Sequence, residues 1–431
     1  MHFDSLKGWL DWQETLHPKS IDLGLERVSQ VFARLNPQGI KPLTISIAGT
    51  NGKGSSVAFL DAIYRAQGVH VGAYTSPHII NYNERIKIDG VAASDEQICA
   101  SFERIEAVRD NISLSYFEFS TLAALDIFIR ANVAIQLLEV GLGGRLDAVN
   151  IVDADASIIT SISIDHIAWL GETREAIGYE KAGIFRHNIP AIISDSNPPQ
   201  SLIDHANKIQ APLLRIGYEF SYNTAINHWS WQSKNKHLNT LPLPQLKGKH
   251  QFSNAAAVLT AIQVLQDKLP VSEQAIQQGL STVSLPGRFQ LIQSKPAVLL
   301  DVSHNPQAAQ VLVEYLQTEF KQMPIHAVFT MMNDKDLTGV INLMQDSIKH
   351  WYISPLDNPR TCKSNDILNT LKLNGITQLS SGFKDFVSAF QAAKAGAYAD
   401  NGLILIFGSF FLVSEYLSLF NTNSENKPQG K

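Results

Sequence analysis

The 431-residue sequence predicts an α/β protein in which a mostly parallel sheet domain with helices on both faces is followed by a smaller Rossmann-like α/β domain. Three observations carry that expectation. Leu43-Thr44-Ile45-Ser46-Ile47-Ala48 is a short apolar, partly β-branched run ending in a Gly-rich turn, with a helical pattern over 55–66 behind it. Strand runs recur at 133–138, 156–162 and 191–194 between helical stretches such as 117–130 and 174–185, the alternation that builds parallel sheets. Leu285-Pro286-Gly287-Arg288 then interrupts the pattern, and a second series begins, with strands at 297–300, 325–330, 351–354 and 403–407 and helices at 308–319 and 337–348.

Between these series, 215–244 is aromatic and polar with two Trp, the composition of hairpins at a domain edge, and helical patterns return at 252–266 and 272–281. The predicted domains are 1–287 and 288–420, with 421–431 a polar tail. The apolar run 402–413 is too short to span a bilayer and, broken by Gly408 and Ser409, reads as a buried strand and turn.

Composition narrows the functional classes. With 45% hydrophobic and 17% charged residues the chain is an ordinary globular one, and a formal net charge of −5 gives no footprint for nucleic acid or an anionic membrane. The opening Met1-His2-Phe3-Asp4-Ser5-Leu6-Lys7 is acidic where a signal peptide is basic, and no apolar segment follows. Cys99 and Cys362 make neither a disulfide framework nor a thiolate metal site, which suits a reducing cytoplasm.

The Gly-rich turn, Gly49-Thr50-Asn51-Gly52-Lys53-Gly54-Ser55, stands where a phosphate loop (P-loop) belongs, between strand and helix. Backbone N–H groups there can close around phosphate oxygens, Lys53 can neutralise β- and γ-phosphates, and a hydroxyl can reach Mg²⁺. It departs from the common pattern twice: the first glycine lies only three residues before Gly52, and Gly54 precedes Ser55. Glu139 ends an apolar strand run, which puts a carboxylate at the sheet edge where doubly wound folds bind ligands.

The loop resembles that of the Mur ligase superfamily, and within it the folate ligases, whose loop has this GTNGKG form. The resemblance continues through Ile21-Asp22-Leu23-Gly24-Leu25-Glu26-Arg27, Tyr74-Thr75-Ser76-Pro77-His78, Asn83-Glu84-Arg85-Ile86, Glu139-Val140-Gly141-Leu142-Gly143-Gly144-Arg145-Leu146-Asp147, Asp165-His166, Glu180-Lys181-Ala182-Gly183-Ile184, Leu285-Pro286-Gly287-Arg288, Asp301-Val302-Ser303-His304-Asn305-Pro306 and Gly408-Ser409-Phe410. The first domain is thus similar to the Mur ligase central domain.

The resemblance implies an ATP-dependent ligase that joins L-glutamate to a pterin-bearing carboxylate through an acyl phosphate. Implied ATP contacts are Thr50, Asn51, Gly52, Lys53, Gly54, Ser55, Asn254, Arg288 and Asp301. Ser55, Ser76, Glu139, His166 and Lys181 are implied to surround Mg²⁺ at two sites, with Lys53, Lys181, His166 and Arg288 the catalytic set. Lys181 matches a lysine often carbamylated in the superfamily, which would turn a cation into an anion near Mg²⁺. Other readings compete: a Glu139–Arg145 salt bridge, a core His166, a surface Lys181 paired with Glu180 or Glu175, and Arg288 as a hinge residue with Asp301 merely ending a strand.

The peptidoglycan branch binds a UDP-sugar through an additional N-terminal domain, for which the residues before Gly49 leave no room. Instead Ile21, Asp22 and Leu23, with Ser115, Tyr116, Phe117 and Glu118 and with Leu146, Asp147 and Ala148, match the pterin site of the folate branch. Tyr116 and Phe117 can stack on a pterin ring, or else are the buried start of a helix. His304 and Ser409 match residues near the incoming glutamate. The expected enzyme is bifunctional, using dihydropteroate and then tetrahydrofolates; a monofunctional folylpolyglutamate synthase or a P-loop NTPase of another class are the alternatives. The expected partners are small molecules only, with no nucleic acid and no membrane, and the expected state is a monomer.

Overall fold

The computed structural model describes residues 3–19 and 21–421, and they fall into two compact units. The first is 1–245 with 251–284, and the second is 246–250 with 285–431. Residues 422–431, most of the expected tail, lie outside the described residues, and Asn421 is the last residue of a helix, Phe410–Asn421.

The first unit holds an eight-stranded sheet among its described residues, made of β1 (Leu43–Ala48), β2 (Val71–Tyr74), β3 (Ile86–Ile88), β4 (Val91–Ala92), β5 (Ile135–Glu139), β6 (Ala156–Ile159), β7 (Ala191–Ile193) and β8 (Leu213–Arg215). Their order is β4-β3-β2-β5-β1-β6-β7-β8, antiparallel only where β3 meets β2 and β4. β1 sits between β5 and β6, in register Ile47 with Glu139 and Ala48 with Ile159. Every residue of β1 after Leu43 is buried, which is why it reads as a continuous apolar run rather than an alternating one. Phe59, Leu60, Phe102, Phe119, Leu122 and Phe128 supply large buried side chains of the same unit.

The aromatic insert is a separate antiparallel sheet of β9 (Phe220–Thr224), β10 (Trp229–Ser233) and β11 (His237–Leu241). Trp229 and Trp231 are buried, and Tyr222 stacks on Phe252 at 6.0 Å, anchoring the insert to the helix that follows.

In the second unit β12 (Gln290–Ile292), β13 (Val298–Leu300), β14 (Ile325–Phe329), β15 (His350–Ile353), β16 (Leu379–Ser380) and β17 (Leu403–Phe407) run in the order β12-β13-β17-β14-β15-β16, parallel except for β12. Phe329, Trp351 and Phe407 form its aromatic centre. The run 402–413 contains β17 as expected, but residues 410–413 begin the helix Phe410–Asn421 instead of completing a turn. The Ser409 hydroxyl accepts the Phe411 N–H at 3.1 Å and so starts it. Among the described residues no helix is long and apolar enough to cross a membrane, and Cys99 and Cys362 are free thiols.

Candidate active site

The first unit gathers most of the expected residues at the carboxyl ends of β5, β1 and β6. The loop after β1 is fixed by its neighbour: Thr50 N–H donates to the Ser161 carbonyl at 2.7 Å, and the Thr50 hydroxyl contacts the Ser163 carbonyl and N–H at 3.1 and 3.0 Å. Gly49 and Gly52 are required by close approach. A Cβ at Gly49 would lie 1.7 Å from Thr160 Oγ1, and one at Gly52, where φ is +95°, 2.6 Å from Asn254 Oδ1. Lys53 opens the helix Lys53–Ala66 and curls back, its Nζ donating to the carbonyls of Gly49 and Thr50 at 3.2 Å each. Ser55 is buried, and Gln251 Nε2 donates to its hydroxyl at 3.3 Å while Asn254 Nδ2 donates to Gln251 Oε1 at 3.0 Å.

Lys181 comes from the helix Arg174–Ala182, yet it is only 4% exposed and its Nζ donates to the same Gly49 carbonyl at 2.8 Å. It is therefore not the surface lysine of the competing reading. Glu180 pairs with Arg145 at 2.9 Å, and Glu175 accepts from the N–H groups of Gln200 and Ser201. Burial, with the charge of Lys53 added, pulls the Lys181 ammonium down to about 7 against the opposing pull of Asp165 and Asp147.

Glu139 ends β5 and is 5% exposed, its Oε2 accepting the Ser76 N–H at 3.3 Å, so Glu139 and Ser76 are neighbours. Arg145 is engaged with Glu180. His166 stands in the left-handed region at φ 52°, ahead of the short helix Ile167–Leu170, with its N–H on Asp165 Oδ1 at 2.8 Å. Among the described residues no group of three or more His, Cys, Asp and Glu side chains is arranged to hold a metal. Mg²⁺ does not demand one, since it is commonly held by one or two carboxylates, substrate phosphates and water. Glu139 and the Ser55 and Ser76 hydroxyls are oxygen donors, the ligand type that Mg²⁺ takes.

The three segments matched to a pterin site are brought together. Ser115 caps the helix Tyr116–Arg130, and its capping box with Glu118 is closed both ways, Ser115 N–H on Glu118 Oε2 at 2.7 Å and Glu118 N–H on Ser115 Oγ at 3.3 Å. Tyr116 and Phe117 are half-buried rather than core. The Phe117 ring lies 6.0 Å from that of Tyr74, and the Arg85 guanidinium 5.6 Å from that of Tyr116. Arg85 in turn donates to His78 Nδ1 at 2.9 Å, and burial together with that cation holds His78 down at about 4. Leu146 accepts the Gly24 N–H from the leader at 3.2 Å. Asp147 is buried, which lifts its carboxyl to about 6 although the N–H groups of Leu142 and Val149 donate to it at 2.8 and 3.0 Å; Ala148 follows it, also buried. Asp22, between Ile21 and Leu23, is linked to Glu118 through Arg27.

In the second unit the carboxyl ends of β13 and β17 carry the remainder. Asp301 is buried and accepts the N–H groups of Phe289 and Ser303 at 3.1 and 2.9 Å and the Ser303 hydroxyl. Burial raises its carboxyl, opposed by Ser303 and by Arg288. The Arg288 guanidinium lies 5.1 Å from the Phe410 ring, and the His304 ring lies 6.0 Å from the same ring with its Nδ1–H on the Val302 carbonyl at 2.9 Å. Phe410 thus joins Arg288 to His304, with Ser409 beside it in the chain. Sequence reasoning quoted Arg27, Arg85 and Phe410 within motifs but gave them no role, and it missed Gln251, whose one signal is its place three residues before Asn254 on a helical face.

Comparison with known proteins extends this geometry. Residues 47–262 match the family model of the Mur ligase middle domain and 287–410 that of the Mur ligase, glutamate ligase domain. The dihydrofolate synthase/folylpolyglutamate synthase of Escherichia coli (strain K12) is 41% identical over 416 residues, 96% of each chain, and that of Haemophilus influenzae is 38% identical over 95% of this chain and 96% of its own. The structure of E. coli FolC in complex with DHPP and ADP superimposes with a TM-score of 0.92 at 41% identity, covering 98% of this chain and 99% of that one. A bifunctional folylpolyglutamate synthase/dihydrofolate synthase with Mn, AMPPNP and L-glutamate bound gives 0.89 at 40% identity, covering 97% and 98%. Fold, site and likeness over nearly the whole length agree: the chain belongs to the dihydrofolate synthase/folylpolyglutamate synthase group of the Mur ligase family, ligases that form carbon–nitrogen bonds.

Proposed function

We propose that this ligase adds L-glutamate to 7,8-dihydropteroate, giving dihydrofolate, and to tetrahydrofolate, giving folylpolyglutamates, with ATP converted to ADP and orthophosphate. The observation that carries the reading is the clustering of Lys53, Lys181 and the Gly49 carbonyl on one phosphate loop within the unit that also joins the leader, 115–118 and 146–148. An unactivated carboxylate does not acylate an amine, so its oxygen first attacks the γ-phosphoryl group and ADP leaves. The glutamate nitrogen then adds to the acyl carbon, orthophosphate departs, and the amine loses a proton.

The protein's share is positioning and charge neutralisation. Loop N–H groups and Lys53 face the phosphates, and Asn254, Arg288 and Asp301 are assigned to the nucleotide by family likeness. His304 and Ser409 are assigned to the incoming glutamate in the same way. Mg²⁺, which we assign to Ser55, Ser76, Glu139, His166 and a carbamylated Lys181 in two sites, would neutralise phosphate charge when bound. Lys181 is proposed to be carbamylated: burial leaves much of its amine unprotonated at neutral pH, the amine nitrogen attacks the carbon of CO₂ and a proton is released to solvent, and the remaining carbamate N–H can still donate to the Gly49 carbonyl. A free amine by intact mass in bicarbonate buffer would remove that assignment. A cytoplasmic monomer fits the two free thiols and this reading.

The deciding experiment is coupled ADP release with dihydropteroate or tetrahydrofolate, each with and without L-glutamate. Activity with both acceptors, dependent on glutamate, is expected. Activity with tetrahydrofolate alone would reduce the enzyme to a folylpolyglutamate synthase, and ATP hydrolysis indifferent to both acceptors would overturn the reading.

A further inference from the structure

The leader at 21–23 has little apolar anchorage of its own, since Ile21 is 36% exposed and Leu23 only half-buried, so polar contacts must fix it. All act on Asp22: exposed Lys19 donates to its Oδ1 at 3.2 Å, and two further contacts come from one side chain that also reaches another element. Arg27, in the first turn of the helix Glu26–Leu35, reaches Asp22 Oδ2 with Nη1 at 2.7 Å, and with Nη2 it donates to the Asp22 carbonyl at 3.0 Å and to Glu118 Oε1 at 3.1 Å. Glu118 cannot follow a moving arginine, because it is 3% exposed and its other oxygen is held by the Ser115 N–H of the capping box. From the opposite side His17 Nε2–H donates to Asp22 at 3.1 Å while Nδ1 lies 2.9 Å from the hydroxyl of Ser113, two residues before the cap.

An ordinary surface ion pair would be expendable, but this one ends on a buried carboxylate that loses a partner if the arginine goes. Three acceptors in one fork also require a guanidinium; an ammonium at the end of a lysine cannot meet all of them. We infer that Arg27 is a positioning residue for the acceptor substrate: it clamps the leader to the first turn of the helix Tyr116–Arg130 and so sets the subsite for the pteroyl group. The inference rests on the function proposed above. Arg27 touches no reacting atom, so its loss acts on acceptor affinity and not on nucleotide affinity.

The full-length enzyme with Mg²⁺ and ATP is compared as wild type, Arg27→Ala, Arg27→Lys and Arg34→Ala. Arg34 lies on the same helix but donates to the Val108 carbonyl at 3.0 Å, so its loss tests general loosening of that helix. For Arg27→Ala, KM for dihydropteroate rises about tenfold or more, while kcat, KM for ATP and calorimetric ADP affinity stay within about threefold. Arg27→Lys gives the same split at intermediate size, and Arg34→Ala behaves as wild type. Arg27→Ala with dihydropteroate KM within about twofold of wild type overturns the inference, as does an equal loss for dihydropteroate, ATP and ADP. Should Arg27→Ala not fold, the lysine variant decides by the same criterion. If the wild type releases ADP with tetrahydrofolate but not with dihydropteroate, the same criteria are applied to the KM for tetrahydrofolate; a wild type that releases ADP with neither sinks the proposed function itself, before any substitution is compared.

Discussion

Lys181 is the residue whose environment most contradicts its chemistry. Its ammonium is 4% exposed, next to a second lysine, and burial brings it from 10.5 to about 7. Between those two values the unfolded chain binds a proton that the folded chain has released. Stability therefore rises with pH from about 7 toward 10.5, and below pH 7 the fold must carry the buried cation. Lys181→Met removes this dependence along with the charge. In CO₂-free buffer, urea melts of wild type and variant should diverge with pH, the difference moving in favour of wild type by about 3 kcal/mol between pH 7 and pH 9.5. Parallel curves would show that the Lys181 amine keeps its ordinary basicity in the fold. Activity of the variant should fall at least about a hundredfold, read as ADP release. Lys181 and Glu139 were legible in the sequence because each lies in a dense local motif. Arg27 and Gln251 were not, because their partners Glu118 and Ser55 are 91 and 196 residues away, and only the fold brings them together.

At the scale of elements, the phosphate loop was readable because strand, turn and helix follow one another without interruption and the strand is buried on both sides. Its odd glycine spacing becomes intelligible once Asn254 is seen: Gly52 leaves room for an amide arriving from another helix. Gly52→Ala adds a Cβ 2.6 Å from Asn254 Oδ1 at a φ of +95°, so either the loop or the Asn254–Gln251–Ser55 chain must move. Nucleotide affinity should drop about tenfold or more by calorimetry, with a stability loss of about 1–3 kcal/mol. Unchanged ADP affinity would mean that this loop does not hold the nucleotide. The element least legible was the helix Phe410–Asn421. Its first residues, Phe410, Phe411, Leu412 and Val413, extend the apolar run of β17, so the period that separates helix from strand is absent from the sequence, and the Ser409 cap is a single hydroxyl.

For the whole molecule, the chain passes between its units three times, at 245/246, 250/251 and 284/285. The Pro-Gly break at Leu285–Arg288 marked only the last, because a passage inside an otherwise polar connection leaves no compositional trace. Each unit nonetheless has its own core, and this has a measurable consequence. Phe407 is fully buried in the second unit, its ring 4.8 Å from Phe329 and 6.0 Å from Trp351. Phe407→Ala removes most of that packing and should cost about 3–5 kcal/mol. If the cores are separately cooperative, that loss stays local. Amide hydrogen exchange should accelerate throughout β14 and β17, whereas β1 and β5, which are built around Ile45, Ile47, Leu137 and Leu138, keep their protection. Calorimetry should show one transition moving down and another staying in place. Equal loss of protection in β1 and β5 would make the two units a single cooperative body, and substitutions near β17 could then no longer be used to test glutamate binding apart from the phosphate loop.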